Sequence, residues 1–328
     1  MWRGDEGMSR LKRNPRPINT KQASAIFTAD LHLTNVTPVS RMDDYMKAQE
    51  TKLRFLNELS LENGGCPVVC SGDVFDHWKA SPWLSSWAHK HLPENFITIP
   101  GNHDLPLHSF DEYDKSALHL LESVGGAIRI LKSEPIRIGD INIYGIPFGL
   151  DTPDEWAILP KDKWRRNILV LHTLVWEKNR PPWAPSSDTA GDLLDKFGDN
   201  FDIILTGDNH QSFVVEGNGS ILINPGSMMR STVDQANFKP RCFLYYGETN
   251  EVVACEFPID QGVHDDSHII RKEQNLYGER IAAYIDRMDQ DWKTEMSFKK
   301  NLTLFFKENK TPKKVREIIW QHLETNQK

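Results

Sequence analysis

The sequence predicts a layered α/β domain followed by a helical C-terminal extension. Short apolar runs typical of buried strands alternate with amphipathic segments in the first half of the chain, and short strands dominate the stretch that follows. From about residue 263 onwards the pattern becomes helical and amphipathic. We therefore expect a polar N-terminal arm at 1–23, a main domain at 24–262 and a helical extension at 263–328.

Strands and helices alternate in the first half of the main domain. Three strand-like apolar runs occur there, at 25–29, 68–70 and 96–99. A helix is expected after the first run, because Asp43 and Asp44 suit a helix N-terminus and the glycines at 64–65 suit its end. A second helix is expected at 116–124, before another Gly-Gly pair.

The second half of the main domain is richer in strands. Further strand-like runs lie at 128–131, 136–138, 141–146, 168–171, 203–206 and 221–223. The first three are closely spaced, as in an antiparallel meander, and the runs 242–246 and 252–257 resemble a hairpin. Two amphipathic helices are expected in the extension, one carrying Tyr284, Ile285 and Met288 on one side and one carrying Val315, Ile318, Ile319 and Leu323.

Composition and charge argue against several classes of protein. With 39% hydrophobic and 10% aromatic residues the chain can bury a sizeable core, and no apolar stretch approaches the roughly 18 residues of a membrane span. The absence of an apolar signal segment and of zinc-type cysteine pairs favours a cytoplasmic protein with reduced thiols. Residues 22–263 carry 20 basic and 33 acidic side chains, so the main domain by itself is a poor binder of nucleic acid.

Polar side chains follow five of the apolar runs, at the point where the chain leaves each strand. They are Asp30, His32, Asp73, Asn102, His103, His172, Asp208 and His210. In open α/β sheets ligands bind at this edge, because the loops that leave the strands converge there. Carboxylate and amide oxygens mixed with imidazole nitrogens suit Mn²⁺, Fe²⁺ or Zn²⁺. Their number suits two ions about 3.5–4 Å apart that share a carboxylate.

Each of these pieces has a plainer interpretation when it stands alone. A Gly-Asp after a strand is more often a turn, and a histidine at the end of a strand is more often a satisfied, partly buried side chain. The ordered set favours a metal centre, since five runs in succession end in groups that can bind a metal ion.

The ordered set resembles that of the calcineurin-like metallophosphoesterases over about residues 25–230. Their pattern reads Asp-x-His, Gly-Asp-x-x-Asp, Gly-Asn-His-Asp/Glu, His and Gly-His-x-His. The matching residues here are Asp30 to His32, Gly72 to Asp76, Gly101 to Asp104, His172, and Gly207 to His210. One position departs, because Asp208 stands where the family has its first histidine of Gly-His-x-His. The resemblance implies two β-sheets flanked by helices and the hydrolysis of phosphate esters.

The resemblance also implies a role for each residue of the set. The first ion would be held by Asp30, His32, Asp73 and His210. The second would be held by Asp73, Asn102, His172 and Asp208, with Asp73 as the bridge. His103 would donate a proton to the leaving oxygen, with Asp104 orienting its ring. The carboxylate of Asp208 adds oxygen character, which shifts the expected preference toward Mn²⁺ or Mg²⁺.

Two details distinguish between branches of the superfamily. His77 follows Asp76 where serine/threonine protein phosphatases have an arginine, and Asp104 replaces their glutamate, so that branch is disfavoured. The residues after the Gly-Asn-His-Asp turn, the stretch 224–230 and the helical extension resemble the SbcD-type nucleases, which process DNA ends beside an SMC-type ATPase. This resemblance implies DNA as substrate and an SbcC-like ATPase as partner, and a homodimer is a further expectation.

Several alternatives stay open at this point. The acidic main domain also suits a small-substrate phosphodiesterase or phosphatase, which needs no extended basic surface. Asp208 is also compatible with a non-catalytic scaffold that has kept the fold. The segment 176–183 either overhangs the site and stacks on a base or is an ordinary proline-stiffened loop. Arg230 either meets a phosphate or forms a surface salt bridge.

Overall fold

The computed structural model of the chain describes residues 22–125, 128–129, 135–152, 158, 160, 165–182, 184, 187–265, 302–303, 305–307 and 309–325. The chain divides into two compact units, Met1–Asp265 and Asp266–Lys328. The expected N-terminal arm lies almost entirely outside the described residues, and so does the expected helix around Tyr284.

The helices and strands of the described residues follow one another as an alternation that becomes strand-rich. They are β1 (Ala25–Thr28), α1 (Tyr45–Glu62), β2 (Val68–Cys70), α2 (Pro82–His91), β3 (Phe96–Thr98), α3 (Ala117–Ser123), β4 (Ile128–Arg129), β5 (Ile136–Ile138), β6 (Ile141–Ile146), β7 (Arg166–Leu171), α4 (Ala190–Phe197), β8 (Ile203–Leu205), β9 (Phe213–Gly217), β10 (Ser220–Asn224), β11 (Arg241–Tyr246), β12 (Glu251–Glu256) and α5 (Lys313–Thr325).

The strands of the first unit form two mixed sheets. The first sheet has the order β12-β11-β1-β2-β3-β4, in which β1 to β4 are parallel and β11 pairs antiparallel with β1 and with β12. The second has the order β5-β6-β7-β8-β10-β9, in which β6, β7, β8 and β10 are parallel and the two edge strands are antiparallel. The predicted layered α/β fold of two sheets flanked by helices is confirmed.

Three apolar layers hold these sheets together. Successive side chains of a strand point to opposite faces, so Phe27 enters the core between the sheets while Ile26 enters the core beneath α1. On the far side of the second sheet, Leu194 and Phe197 of α4 pack with Ile204 of β8. Because both faces of the central strands are covered, those strands read as continuous apolar runs rather than alternating ones.

The ends of the first helix follow the sequence prediction. The side chain of Asp44 accepts a hydrogen bond from the N–H of Lys47, and Asn63 is the C-terminal cap. Helix α4 was not predicted, although it carries a sequence signal: Thr189 and Asp192 form a reciprocal capping box at its start.

The expected meander of three strands is wrong. Strand β4 lies in the first sheet, parallel to β3 with Ile128 opposite Ile97, whereas β5 and β6 form an antiparallel hairpin in the second sheet. The physical reason is the crossover through α3, which returns the chain parallel to the strand that preceded it. Close spacing along the chain therefore did not mean pairing.

The C-terminal unit contains α5, on which Val315 and Ile318 are exposed. None of the described helices is both long enough and apolar enough to span a lipid bilayer.

Candidate metal centre

The predicted ligand residues come together where parallel strands of both sheets end. Asp30 and His32 follow β1, Asp73 follows β2 and Asn102 follows β3, all from the first sheet; His172 follows β7 and Asp208 and His210 follow β8, from the second. Hydrogen bonds join the two edges directly. The hydroxyl of Ser71 donates to the carbonyl of Thr206 at 2.7 Å, and the N–H of Asp208 donates to Oδ1 of Asp30 at 3.1 Å.

Four of the seven predicted ligands have left-handed backbone conformations. The φ angles of Asp30, His32, Asp73 and Asp208 are 48°, 44°, 52° and 71°. Such a conformation costs an L-residue about 1–2 kcal/mol, and non-glycine residues adopt it chiefly where the surrounding structure imposes it. This concentration of strained residues at the strand ends is typical of functional sites.

One group of potential ligands consists of Asp30, His32 and His210, with one ligand atom of each within 4.8 Å of the others. The Nε2 atoms of the two imidazoles face each other at 3.1 Å, and Nε2 of His32 lies 3.6 Å from Oδ2 of Asp73. The separation of 3.1 Å is close to the roughly 3.0–3.4 Å expected for two nitrogens that share one ion at 2.0–2.1 Å.

A second group consists of Asp30, Asp73 and His172. Nε2 of His172 lies 3.4 Å from Oδ2 of Asp73 and 2.8 Å from Oδ1 of Asn102. Its other nitrogen, Nδ1, donates to the carbonyl of Ser71 at 2.6 Å, which leaves the lone pair of Nε2 for a metal ion. Oδ2 of Asp73 is therefore within 3.6 Å of an imidazole nitrogen of each group, as expected for a bridging carboxylate, and Asp30 is common to both groups.

Asp208 has a looser position than the other predicted ligands. It is half-buried, its backbone contacts Asp30, and its carboxylate contributes to the charge around His172. It belongs to none of the three groups of potential ligands found among the described residues. The structure therefore brings Asp208 to the centre without fixing its carboxylate on a specific position.

The electrostatics of the centre reflect carboxylates buried close together. Burial and the neighbouring Asp73 raise the pKa of Asp30 to about 7, although nearby histidines oppose this. Burial would also raise the pKa of Asp73, but the charges of His172 and His32 outweigh it and hold that pKa well below its usual range. Burial opposes protonation of His172 too, yet the facing carboxylates raise its pKa to about 10. The cluster thus needs positive charge.

The residues present fit divalent metal ions. Oδ2 of Asp30 is buried and has no hydrogen-bond partner among the described residues, an arrangement that costs free energy unless a cation occupies it. Loss of solvent and the neighbouring His32 lower the pKa of His210 to about 4, so its ring is neutral and able to ligate. A mixed set of oxygen and imidazole ligands matches the ions that the sequence predicted.

The role expected for Asp104 is wrong. Its carboxylate does not contact the His103 ring; it accepts hydrogen bonds from the N–H groups of Val74, Phe75 and Gly101 at 3.0–3.1 Å, fully buried. The ring of His103 is held instead through Nδ1, which donates to the carbonyl of Asp76 at 2.7 Å. The reason is topological: the turn after β3 packs on the loop after β2, and the carboxylate accepts hydrogen bonds from amides of both segments that would otherwise be buried without a partner.

Asp76 is the residue whose role the sequence reasoning missed. Its carboxylate lies 3.5 Å from Nδ1 of His32, while its carbonyl holds His103. Partial burial opposes ionisation, but the contact with His32 dominates and lowers the pKa of Asp76. The available signal was the second aspartate of Gly-Asp-x-x-Asp, three residues after Asp73. It orients two histidines of the site at once.

The structure bears on two alternatives that the sequence left open. Arg230 is buried, and its guanidinium donates to the carbonyls of Ala236 and Asp260, so it forms neither a phosphate contact nor a surface salt bridge. Trp176 donates through Nε1 to the hydroxyl of Ser187, and its backbone pairs with Thr189, as in an ordinary packed loop. Trp183 lies outside the described residues.

A set of buried cations packs behind the segment that contains Arg230. Nζ of Lys52 donates to the carbonyl of Met228 at 2.6 Å, and Arg41 donates to the carbonyl of Arg230 and pairs with Asp43. Burial and the charges of Arg41 and Arg230 lower the pKa of Lys52 to about 7. These contacts fix the segment whose Met228 N–H bonds the carbonyl of Asp30 at 3.1 Å.

Several solved structures resemble the chain at low sequence identity. An archaeal phosphodiesterase is 13% identical with a TM-score of 0.38, covering 71% of this chain and 98% of that one. The phosphopantetheinyl hydrolase of Mycobacterium tuberculosis is 14% identical with a TM-score of 0.42, covering 73% and 97%. Vacuolar protein sorting 29 from Cryptosporidium parvum is 16% identical with a TM-score of 0.33, covering 72% and 97%.

The family assignment comes from the sequence itself. Among curated proteins no significant match to the chain is found. The sequence model of the calcineurin-like phosphoesterase family matches residues 24–212, which include every predicted ligand. With that match, the two-sheet fold and the cluster of buried ligands at the strand ends, the chain belongs to the calcineurin-like phosphoesterases.

Proposed function

We propose that this protein is a divalent-metal-dependent phosphodiesterase that hydrolyses DNA. The observation that carries the metal dependence is the orphaned, buried Oδ2 of Asp30 between two ligand groups, Asp30/His32/His210 and Asp30/Asp73/His172. Mn²⁺ is the proposed ion, because Asp208 adds an oxygen ligand where the family pattern has an imidazole.

The side chains divide the chemistry between them. Bound divalent ions would supply Lewis-acid activation of the phosphoryl group and of the attacking water. Asp73 lies between the two ligand groups and keeps the geometry of both, while the Ser71 carbonyl fixes the tautomer of His172. His103 is half-buried, and its Nδ1 is held by the carbonyl of Asp76, so its Nε2 is the atom that donates the proton to the leaving oxygen.

The support for DNA as the substrate comes more from sequence resemblance to nucleases than from the charge of the protein surface. The stretch after the Gly-Asn-His-Asp turn and the stretch 224–230 resemble SbcD-type nucleases. The described lysines Lys307, Lys310, Lys313 and Lys314 are exposed in the C-terminal unit. They would offset part of the negative charge of the main domain and contribute phosphate contacts.

The test compares four substrates in the presence of Mn²⁺: linear single-stranded DNA, linear double-stranded DNA, bis-p-nitrophenyl phosphate and a phosphoprotein. Degradation of DNA with about two tightly bound ions per chain is the expected result. Asp73→Asn should abolish it, whereas Asp199→Asn, which changes an exposed acid after α4, should leave it unchanged.

A second candidate is a phosphodiesterase of small substrates, favoured by the net charge of −13 over residues 22–263. Hydrolysis of the small diester without any DNA degradation would establish this candidate and refute the nuclease. Inactivity on all four substrates by protein that holds its ions would refute both and leave a scaffold that has kept the fold.

The proposed partner is an SMC-type ATPase bound at the C-terminal extension, where α5 exposes Val315 and Ile318. An apolar stripe on a helix suits a groove of another protein. Light scattering of the full chain alone tests the homodimer. Co-elution with the ATPase encoded by the same organism, lost on Ile318→Asp, tests the complex.

A further inference from the structure

A cleft of about 330 Å³ lies among residues that follow Asp76 in the chain, and none of the candidate metal ligands lines it. Trp78, Lys79, His119 and Leu120 are among the residues that line it, and its size falls in the range of ligand pockets. One wall follows β2 and the other is the start of α3, and they are joined where the N–H of Ala117 donates to the carbonyl of Trp78 at 2.8 Å.

The chain connects the cleft with the residue that holds the proposed proton donor. The carbonyl of Asp76 holds the ring of His103, and Trp78 follows only two residues later, so their Cα atoms are at most about 7 Å apart. The ring of His77 lies between them in sequence and stacks on that of Trp78, with 5.4 Å between centroids. His77 and Trp78 are therefore two stacked rings that lie along the chain between Asp76, which holds His103, and the rest of the cleft lining.

The chemistry of the lining suits a base and a phosphate. A half-buried tryptophan offers a stacking surface that accepts any nucleobase. The exposed ammonium of Lys79 forms no ion pair with the described residues, whereas Lys115 on the same cleft is paired with Glu112. Nδ1 of His119 is buried and has no hydrogen-bond partner among the described residues, its nearest carboxylate oxygen being 3.6 Å away. Asp114 also lines the cleft, so its charge is mixed rather than strongly basic.

We propose that this cleft is the subsite for one nucleotide of the substrate, with the base on Trp78 and the phosphate near Lys79. The inference rests on the proposed phosphodiesterase function and narrows its substrate to nucleotide esters. It also explains how an acidic domain engages a nucleic acid: a stacked base contributes affinity that does not depend on neutralising many phosphates.

The experiment uses two substrates with the same scissile bond and leaving group. Thymidine 5′-(p-nitrophenyl phosphate) carries a base and methyl p-nitrophenyl phosphate does not. Trp78→Leu should lower kcat/KM for the nucleotide ester about 5- to 150-fold and change the methyl ester less than twofold. Trp83→Leu is the matched control, since Trp83 is exposed on α2 and lines a different groove.

Binding of thymidine 5′-monophosphate to the Mn²⁺-loaded full chain, measured by calorimetry, separates the two proposals. Affinity that weakens in Trp78→Leu and in Lys79→Gln but not in Trp83→Leu supports the subsite. If the protein binds the nucleotide in this way but hydrolyses none of the esters, the proposed function is refuted and the subsite stands. Equal losses on both esters in Trp78→Leu, or unchanged binding in both cleft variants, would overturn the subsite while leaving the phosphodiesterase intact. Trp78→Phe, which keeps an aromatic ring, should retain most of the affinity.

Discussion

Replacing Gly101 by alanine should displace the carboxylate of Asp73, the residue predicted to bridge two metal ions. A Cβ at this position would lie 2.1 Å from Oδ1 of Asp73, 2.4 Å from its backbone nitrogen and 2.8 Å from its Cγ. Ordinary contacts begin at 3.4 Å, so Asp73 or the turn would have to move by about 1.0–1.3 Å. The backbone nitrogen cannot rotate away as the end of a flexible side chain would, and the shift must reach the metal centre.

The expected loss of metal and activity follows from the small range of metal–ligand distances that a metal centre tolerates. Metal–ligand distances hold to about 0.2 Å, so a shift of about 1 Å in Asp73 should release at least one ion. A misplacement of that size costs about 100-fold in turnover, and overpacking of this kind costs about 1–3 kcal/mol in the free energy of unfolding. Gly101→Ala should therefore lose both metal and activity while still folding.

The assay measures Mn²⁺ per chain, hydrolysis of bis-p-nitrophenyl phosphate and thermal unfolding, each beside Gly191→Ala. A Cβ added at Gly191 would meet only Oγ1 of Thr189 at 3.7 Å within the first turn of α4, so this control should be neutral or stabilising by about 0.5–1 kcal/mol. Two ions per chain and activity within threefold of wild type in Gly101→Ala would refute the reasoning. Lost activity with both ions retained would place the effect on the turn that carries Asn102 and His103 rather than on metal binding by Asp73.

Three further predictions address single groups. On the proposed role of its ring as proton donor, His103→Ala should lower kcat about 10²- to 10⁴-fold with metal content unchanged; loss of metal would make His103 a ligand instead. Asp208→Ala should reduce tightly bound Mn²⁺, measured by metal analysis, from two ions to one, and retention of both would remove Asp208 from the ligand set. Lys52→Met should flatten the pH dependence of stability in denaturant melts. The pKa of Lys52 is about 7 in the folded protein, against an ordinary value of 10.5. Between pH 7 and pH 10.5 the unfolded chain therefore holds one more proton at this residue than the folded chain. The free energy of unfolding of the wild type rises with pH in that range, by at most about 1.4 kcal/mol per pH unit. An equal slope in the variant would contradict this.

Much of the centre was predictable because its residues are encoded locally. A polar residue at the end of a parallel strand can be recognised by the apolar run before it. Five such runs occur in order along the sequence, from the one before Asp30 to the one before Asp208. Helix α1 was equally predictable, because Asp44 and Asn63 cap its first and last backbone groups through short-range hydrogen bonds.

The predictions that failed depend on contacts between residues that are distant along the chain. The spacing of 128–146 suggested one meander, yet pairing depends on which strand ends up alongside, and β4 joined the first sheet while β5 joined the second. Asp104 was assigned to a neighbouring ring, but a buried carboxylate bonds whichever amides the fold places within about 3 Å, here those of Val74 and Phe75 from another loop.

The sequence by itself therefore determined which residues are candidate ligands, the edge of the sheets at which they lie and the family pattern that they form. Only the tertiary structure decided how they act together: the left-handed backbone of Asp30 and Asp73, the unpaired Oδ2 of Asp30, and the cleft at Trp78. The reason is that residue type and period are properties of a short stretch, whereas burial, charge compensation and pockets arise between stretches that are distant along the chain.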